Sequence, residues 1–302
     1  MSYATDTVVI VGLGLIGGSL AKALRHSGFS KHFIGCGHRE PSLRRGVELG
    51  VIDEFTLDLD AAVERADIVV ICTPTLTAER MLAQILPRLQ GRTGGPVITD
   101  VASVKGSLRD AAVAVAGTVP RQLVLGHPIA GSEHSGVEAA DTNLFVNHRV
   151  ILTPEESNDA AAVALVRDMW ESTGAEVLEM TVERHDAVLA ATSHLPHLLA
   201  YSLVDALASS DASDDIFRCA AGGFRDFTRI ASSDPTMWRD IALANKSALL
   251  DAIDLFSEHL GGLWAAVEAG DADTLMNTFS RAKQARDEFA ALLAQRSDSK
   301  RP

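Results

Sequence analysis

Short runs of apolar, β-branched residues recur between positions 7 and 180, separated by stretches whose apolar positions fall three and four apart. TVVIVG (7–12), HFIGCG (32–37), DIVVICT (67–73), PVITDV (96–101), QLVLGH (122–127), RVILT (149–153) and AEVLEM (175–180) read as strands. SLAKALRHSG and AERMLAQILPRL, lying between such runs, have the helical period. Strands that are apolar on both faces and alternate with helices predict a mainly parallel sheet covered on both sides. The pattern changes near residue 181: from TVERHDAVLAATSHLPHLLAYSLVDAL onward only helical periodicity remains, as in MWRDIALANKSALLDAIDLFSEHLGGLWAAVE and TLMNTFSRAKQARDEFAALLAQ. The expected organisation is an α/β domain over 1–180 followed by an all-helical domain over 181–302. Several long amphipathic helices in one segment tend to complete their apolar faces on a second subunit, which predicts a homodimer through the helical half.

Composition narrows the function classes. The 302 residues are 47% hydrophobic and 22% charged, ordinary for a globular chain with a sizeable core. A net charge of −13 argues against nucleic acid, whose phosphates need a basic face, but leaves room for a small anionic substrate in a locally positive pocket. Cys36, Cys72 and Cys219 are widely spaced and form no CxxC, so neither a disulfide framework nor a zinc site is expected. MSYATDT lacks a basic leader region, and VVIVGLGLIGG is too short and glycine-rich to span a bilayer. The expectation is a cytoplasmic protein with no membrane partner.

Gly12-Leu-Gly14-Leu-Ile-Gly17 fits GxGxxG and stands where that pattern has meaning, between a strand and a helix. Gly12 permits the tight turn, Gly14 lets backbone approach a pyrophosphate, and Gly17 lets helix and strand pack closely. With Leu15 and Ile16, these glycines place a helix N-terminus against the phosphates, predicting a Rossmann-type dinucleotide site. The carboxylate that holds an NAD ribose is absent at the end of the second run, where Gly37-His38-Arg39 stands instead. Arg39 suits a 2′-phosphate, which favours NADP; the alternative is NAD bound without a ribose clamp, with His38 and Arg39 as solvated loop residues. Thr73 and Pro74 close the run over 67–73, where backbone commonly passes a cofactor.

GHPIAGSEHSG (126–136) is too broken by Gly and Pro for a helix and too polar for a buried strand, so it reads as a loop. His127 then leaves the carboxyl edge of the sheet, where ligands of open α/β folds bind, and Pro128 biases it towards an extended conformation. Ser103, just after the preceding strand, is expected near the same crevice. An imidazole beside a nicotinamide is suited to take a proton near neutral pH; a loop histidine bonded to backbone is the competing reading.

GLGLIGGS, TDVASVKG, GHPIAGSEHSG, SHLPH and GGFRDFTRIASSDPTMW occur in this order, and the sequence resembles the prephenate/arogenate dehydrogenase family of tyrosine biosynthesis from about residue 7 to beyond 245. The resemblance implies a catalytic core alone, without chorismate mutase or regulatory segments. It implies oxidative decarboxylation of a cyclohexadienyl acid, prephenate and/or arogenate, with hydride passing to NAD(P)+. His127 matches the family's catalytic histidine and Ser103 the serine that shares its contact near the nicotinamide. Glu133, beside Ser132, matches an acidic residue at the pocket entrance. His197 is expected to orient substrate, with His194 on the same helix face and Pro196 bending that helix. Arg229 matches the arginine that takes the ring carboxylate, a role suited to a planar fork. Arg225 reads equally as a surface charge, and Trp238 as pocket wall or core. Asp234-Pro235 reads as an N-cap and first helical residue. No third ligand accompanies the two histidines, so no metal is expected. Any tyrosine inhibition is expected to be competitive. Two alternatives remain: a β-hydroxyacid dehydrogenase, which needs a lysine early in the helix after the sheet, and a non-catalytic dinucleotide sensor.

Overall fold

A computed structural model describes residues 4–89, 94–132 and 134–299. Its sheet contains β1 (Thr5–Val11), β2 (Ser30–Cys36), β3 (Glu54–Thr56), β4 (Ile68–Ile71), β5 (Val97–Asp100), β6 (Leu123–Ile129), β7 (Arg149–Thr153) and β8 (Glu176–Glu179). The spatial order is β3-β2-β1-β4-β5-β6-β7-β8. Strands β1–β6 are parallel; β7 runs antiparallel to β6, and β8 follows β7 in parallel. Strand order reverses between β1 and β4, the switch point at which such sheets open a crevice beyond their carboxyl ends.

The alternating side chains of β1 explain the layers. Val8 and Ile10 enter one core with Leu20, Leu24, Phe33 and Trp170, whereas Val9 and Val11 enter the other with Ile71, Leu82, Ile85 and Leu108. Helices α1 (Leu15–Ser27), α2 (Glu40–Glu48), α3 (Leu59–Glu64), α4 (Thr75–Leu89), α5 (Gly106–Ala116) and α6 (Ala160–Glu171) belong to this part of the chain. After residue 181 the described elements are helical: α7 (Val182–Leu189), α8 (Leu195–Ala208), α9 (Ser213–Cys219), α10 (Gly222–Thr228), α11 (Pro235–Ala244), α12 (Lys246–Ala269) and α13 (Ala272–Ser299). The α/β fold with a mainly parallel sheet followed by helices is as the periodicity predicts.

The chain forms two compact units, residues 1–249 and 250–302. Helices α7 to α11 therefore fold with the sheet. Asn245 interrupts the long helical pattern over 237–268 and separates α11 from α12. The second unit keeps large apolar side chains in solvent, Trp264 at 64% and Phe279 at 58% exposure.

Two local expectations are corrected. Strand β3 was not anticipated, because a three-residue edge strand, Glu-Phe-Thr, carries no apolar run. The strand expected over 122–127 runs two residues further, through Pro128 and Ile129 of the stretch read as a loop, with His127 opposite Ile151 and Pro128 opposite Val150. The β5 pairing covers only Leu123 and Val124, so β6 beyond that point has backbone ladder pairing on one side alone, a place where a proline is tolerated.

The helical run Val182–Ala208 is long and apolar enough, by length and composition, to cross a membrane. In this fold its buried stripe includes Val182, His185, Asp186, Leu189 and His194. Three of these, His185, Asp186 and His194, are polar.

Candidate active site

At the carboxyl end of β1 the site is made of backbone. Gly12 has φ +97°, and a Cβ there would meet Thr73 Cγ2 at 2.8 Å and Cys72 O at 2.9 Å. A Cβ on Gly17 would meet Gly12 O at 2.6 Å and Ile10 Cγ2 at 2.7 Å. Gly14, by contrast, has nothing within 4 Å of its Cβ position and caps α1 without a side-chain hydrogen bond. Leu15 and Ile16 form the first turn of that helix, whose leading N–H groups have no intrahelical partner. Thr73 Oγ1, across the turn, is buried without a hydrogen-bond partner. Open space at Gly14, unpaired donors and an orphaned hydroxyl fit a bound dinucleotide pyrophosphate. Pro74 follows, its carbonyl accepting from Thr77 N and Ala78 N at the start of α4. His38 and Arg39 are exposed after β2, with Arg39 at the N-cap of α2. Arg44 and Arg45 are already paired, with Glu40 and Glu48 respectively.

At the carboxyl end of β6 the site is made of side chains. His127 is 8% exposed, and its Nδ1 lies 2.8 Å from Nε2 of the fully buried His185. His185 Nδ1 lies 2.7 Å from Asp186 Oδ1. The Asp186 carboxylate also accepts from Lys105 N at 2.9 Å and Gly106 N at 2.8 Å, the start of α5. Gly106 is what admits it: a Cβ there would sit 2.7 Å from Asp186 Oδ2. Burial would raise the Asp186 pKa, but the bonds from His185 and the two backbone N–H groups hold it below the usual carboxylate range.

A second buried carboxylate aligns the strand. Asp100 accepts from Gly126 N at 3.1 Å and Ala102 N at 2.8 Å. It also pairs with the fully buried Lys105, whose Nζ donates to Gly126 O at 2.6 Å. The turn that carries the half-buried Ser103 is thus tied to the residue preceding His127. Burial, followed by the charges of His185, Lys105 and His194, pushes the His127 pKa well below the ordinary histidine value. His127 is therefore neutral at physiological pH, the state a base requires.

The helical histidines are also oriented. Pro196 cannot donate to the preceding turn, and the disturbance expected there appears as a π-turn over Ala190–His194. His194 Nδ1 lies 3.0 Å from Asn245 Nδ2, which also donates to Asp186 O at 2.9 Å. Burial lowers the His194 pKa to about 4. His197 donates from Nδ1 to Ser193 O at 2.9 Å and stacks on Trp238, with ring centroids 3.5 Å apart. Its pKa is lowered first by burial and further by the nearby Arg229 charge, against the Ser193 contact. Arg229 begins the short turn after α10 and is exposed. Asp234 caps α11, accepting from Thr236 N and Met237 N, as its sequence implies. A cavity of about 190 Å³ lies against His194, Leu198, Tyr201, Trp238 and Leu249.

The fold thus joins His127 to His194 through one hydrogen-bonded chain, and brings Trp238 and the Arg229 charge near His197. Ser132 is exposed and bonds locally to His134 N, and Arg225 is exposed beside Asp226. Glu133 lies outside the described residues. No cluster of three metal-binding side chains occurs among the described residues. Sequence reasoning missed His185, Asp186, Asn245 and Lys105. One signal was present: Val182, His185, Asp186 and Leu189 have i, i+3, i+4, i+7 spacing, so a histidine and an aspartate occupy core positions of an apolar stripe.

The sheet order, the glycine turn and a neutral buried histidine at the sheet's carboxyl edge define a class, the nicotinamide-dinucleotide-dependent dehydrogenases. Residues 20–179 match the nucleotide-binding domain of prephenate dehydrogenase, and residues 181–281 match its dimerization domain. The chain belongs to the prephenate dehydrogenase family. It is 40% identical to a prephenate dehydrogenase of Bacillus subtilis, over 95% of this chain and 77% of that one. It is 36% identical to a cyclohexadienyl dehydrogenase of Zymomonas mobilis, over 92% and 94%. The crystal structure of prephenate dehydrogenase from A. aeolicus in complex with hydroxyphenyl propionate and NAD+ superposes with a TM-score of 0.86, at 37% identity, over 96% of this chain and 99% of that one.

Proposed function

We propose that this protein catalyses the oxidative decarboxylation of prephenate and/or arogenate with hydride transfer to NAD(P)+, in tyrosine biosynthesis. One observation carries the mechanism: a buried, neutral His127 held by a hydrogen-bonded chain at the carboxyl edge of the sheet that bears the dinucleotide turn. The substrate ring has a hydroxyl at C4 and a carboxylate at C1. Bound dinucleotide, held by the Gly12–Gly17 turn and Thr73, supplies a hydride acceptor. His127 accepts the hydrogen bond of the C4 hydroxyl, assisted by Ser103, and so favours departure of hydride from C4. Arg229 takes an anionic group of the substrate, His197 and Trp238 orient the ring, and His194 lines the pocket. Carbon dioxide leaves C1, and the electrons of the broken C–C bond close the aromatic ring. The hydroxyl proton ends on the phenol oxygen, so no net proton is released.

The exposed Arg39, with no acidic residue at the end of β2, supports a preference for NADP over NAD. Free Cys36, Cys72 and Cys219 support a reducing, cytoplasmic location. The exposed apolar side chains of the second unit support a homodimer, and the likeness of tyrosine to the aromatic product is the ground for expecting any tyrosine inhibition to be competitive. A β-hydroxyacid dehydrogenase needs a lysine where α7 carries His185 and Asp186. The test is a comparison of rates for the two substrates with the two cofactors. At least one pairing is expected to generate reduced nicotinamide absorbance, faster with NADP; silence in all four would reject the reading.

A further inference from the structure

The hydrogen-bonded chain fixes where protons sit. A carboxylate only accepts, so the Asp186–His185 contact puts the His185 proton on Nδ1. His185 Nε2 then has a lone pair, and the 2.8 Å contact must be donated by His127 from Nδ1. His127 Nε2 is left as an acceptor. The second branch gives the reverse. Asn245 Nδ2 faces a carbonyl, Asp186 O, which settles its amide orientation; the same nitrogen reaches His194 Nδ1, which must accept. The His194 proton is therefore on Nε2.

We infer that Asp186 is the positioning residue of this site: through His185 its side chain holds His127 as a hydrogen-bond acceptor, and through Asn245 its backbone carbonyl holds His194 as a donor. The inference rests on the proposed reaction, in which a hydroxyl must donate to one group while an anion is met by donors. Two further contacts single out Asp186 as more than a structural residue. Its carboxylate is anchored by Lys105 N and Gly106 N, so it cannot rotate away from His185. Gly106 leaves room for it, since any Cβ would press on Oδ2 at 2.7 Å. Isolated imidazole side chains favour the tautomer with the proton on Nε2, so His127 needs an imposed partner to hold the opposite one.

The test is a long-range ¹H–¹⁵N correlation spectrum of the full-length enzyme labelled at histidine, recorded without substrate, with signals assigned by His127→Asn and His194→Asn. The expected spectrum has His127 protonated on Nδ1 and His194 on Nε2. His185→Leu should release His127 to the Nε2 tautomer and lower kcat by about 10–10³-fold with little change in KM. His185→Gln keeps an acceptor opposite His127 Nδ1 and should restore the native tautomer and most of the rate. A native His127 protonated on Nε2, or a His127 signal unchanged in His185→Leu, would overturn the inference. Because the native spectrum needs no substrate and is assigned with variants other than His185→Leu, it decides the tautomers even where His185→Leu does not fold. Inactivity of the native enzyme on both cyclohexadienyl acids would reject the reaction and leave the spectrum to judge the chain.

Discussion

The two ends of this site are built from different materials. Beyond β1 the chain offers backbone and empty space: Gly12 and Gly17 are packed so tightly that a methyl group would collide, whereas Gly14 faces nothing. Beyond β6 it offers side chains whose order depends on residues far away in sequence, with His127 bonded to a histidine 58 positions on. The first end gains its chemistry by what has been removed, the second by what has been buried and paired. A site of the first kind should fail locally when altered, and one of the second kind should fail as a network.

The sharpest way to break that contrast is at the base. His127→Ala should lower turnover by about 10²–10⁴, the range for a lost general base, while dinucleotide binding measured by calorimetry stays near normal. Loss of both together would mean that the two ends are not separable. In the native enzyme the acid limb of kcat/KM should fall below the ordinary histidine pKa of 6.5, because burial disfavours the imidazolium of His127. A limb above 6.5 would remove His127 from the role.

The difference in construction also explains what could be read in advance. The glycine turn is legible because its meaning is local: a strand, three glycines at fixed spacing and a helix suffice. His127 stood out because an imidazole before a proline is conspicuous in GHPIAG, at the end of an expected strand, yet the residues just after it were misjudged. Composition suggested a loop, while one-sided pairing with β7 lets Pro128 and Ile129 remain strand. His185 and Asp186 look like ordinary polar residues of an amphipathic helix until α7 is seen packed on the start of α5. Asn245 looks like an interruption in a long helix until its amide is found between Asp186 and His194. Contacts of this kind join residues 51 to 81 positions apart, and no periodicity encodes them.

A smaller effect tests the network through stability. His194 is neutral in the folded protein down to about pH 4, whereas in the unfolded chain it takes a proton below 6.5. Between those values the unfolded state binds more protons, so stability falls as pH falls through this window, by about 3 kcal/mol from this group at its full extent. His127 and His185 are displaced in the same direction. Urea unfolding midpoints should therefore drop from pH 6.5 to 4, and His194→Gln should flatten the decline. An unchanged slope in that variant would show that burial of His194 is not what couples folding to protons.

The smallest expected change in stability belongs to the other end, and it isolates the backbone site. Gly14→Ala adds a methyl group where nothing lies within 4 Å, so its thermal midpoint should stay close to native. The same space is where the pyrophosphate must approach, so dinucleotide affinity should fall although the fold is intact. Gly17→Ala forces its methyl against Gly12 O and Ile10, and should lose stability by about 1–3 kcal/mol, the range for overpacking. Measured side by side, the two variants separate a glycine kept for the ligand from one kept for the fold. Equal destabilisation in both would mean that the space at Gly14 is not reserved for the cofactor, and the contrast between the two ends would lose its clearest support.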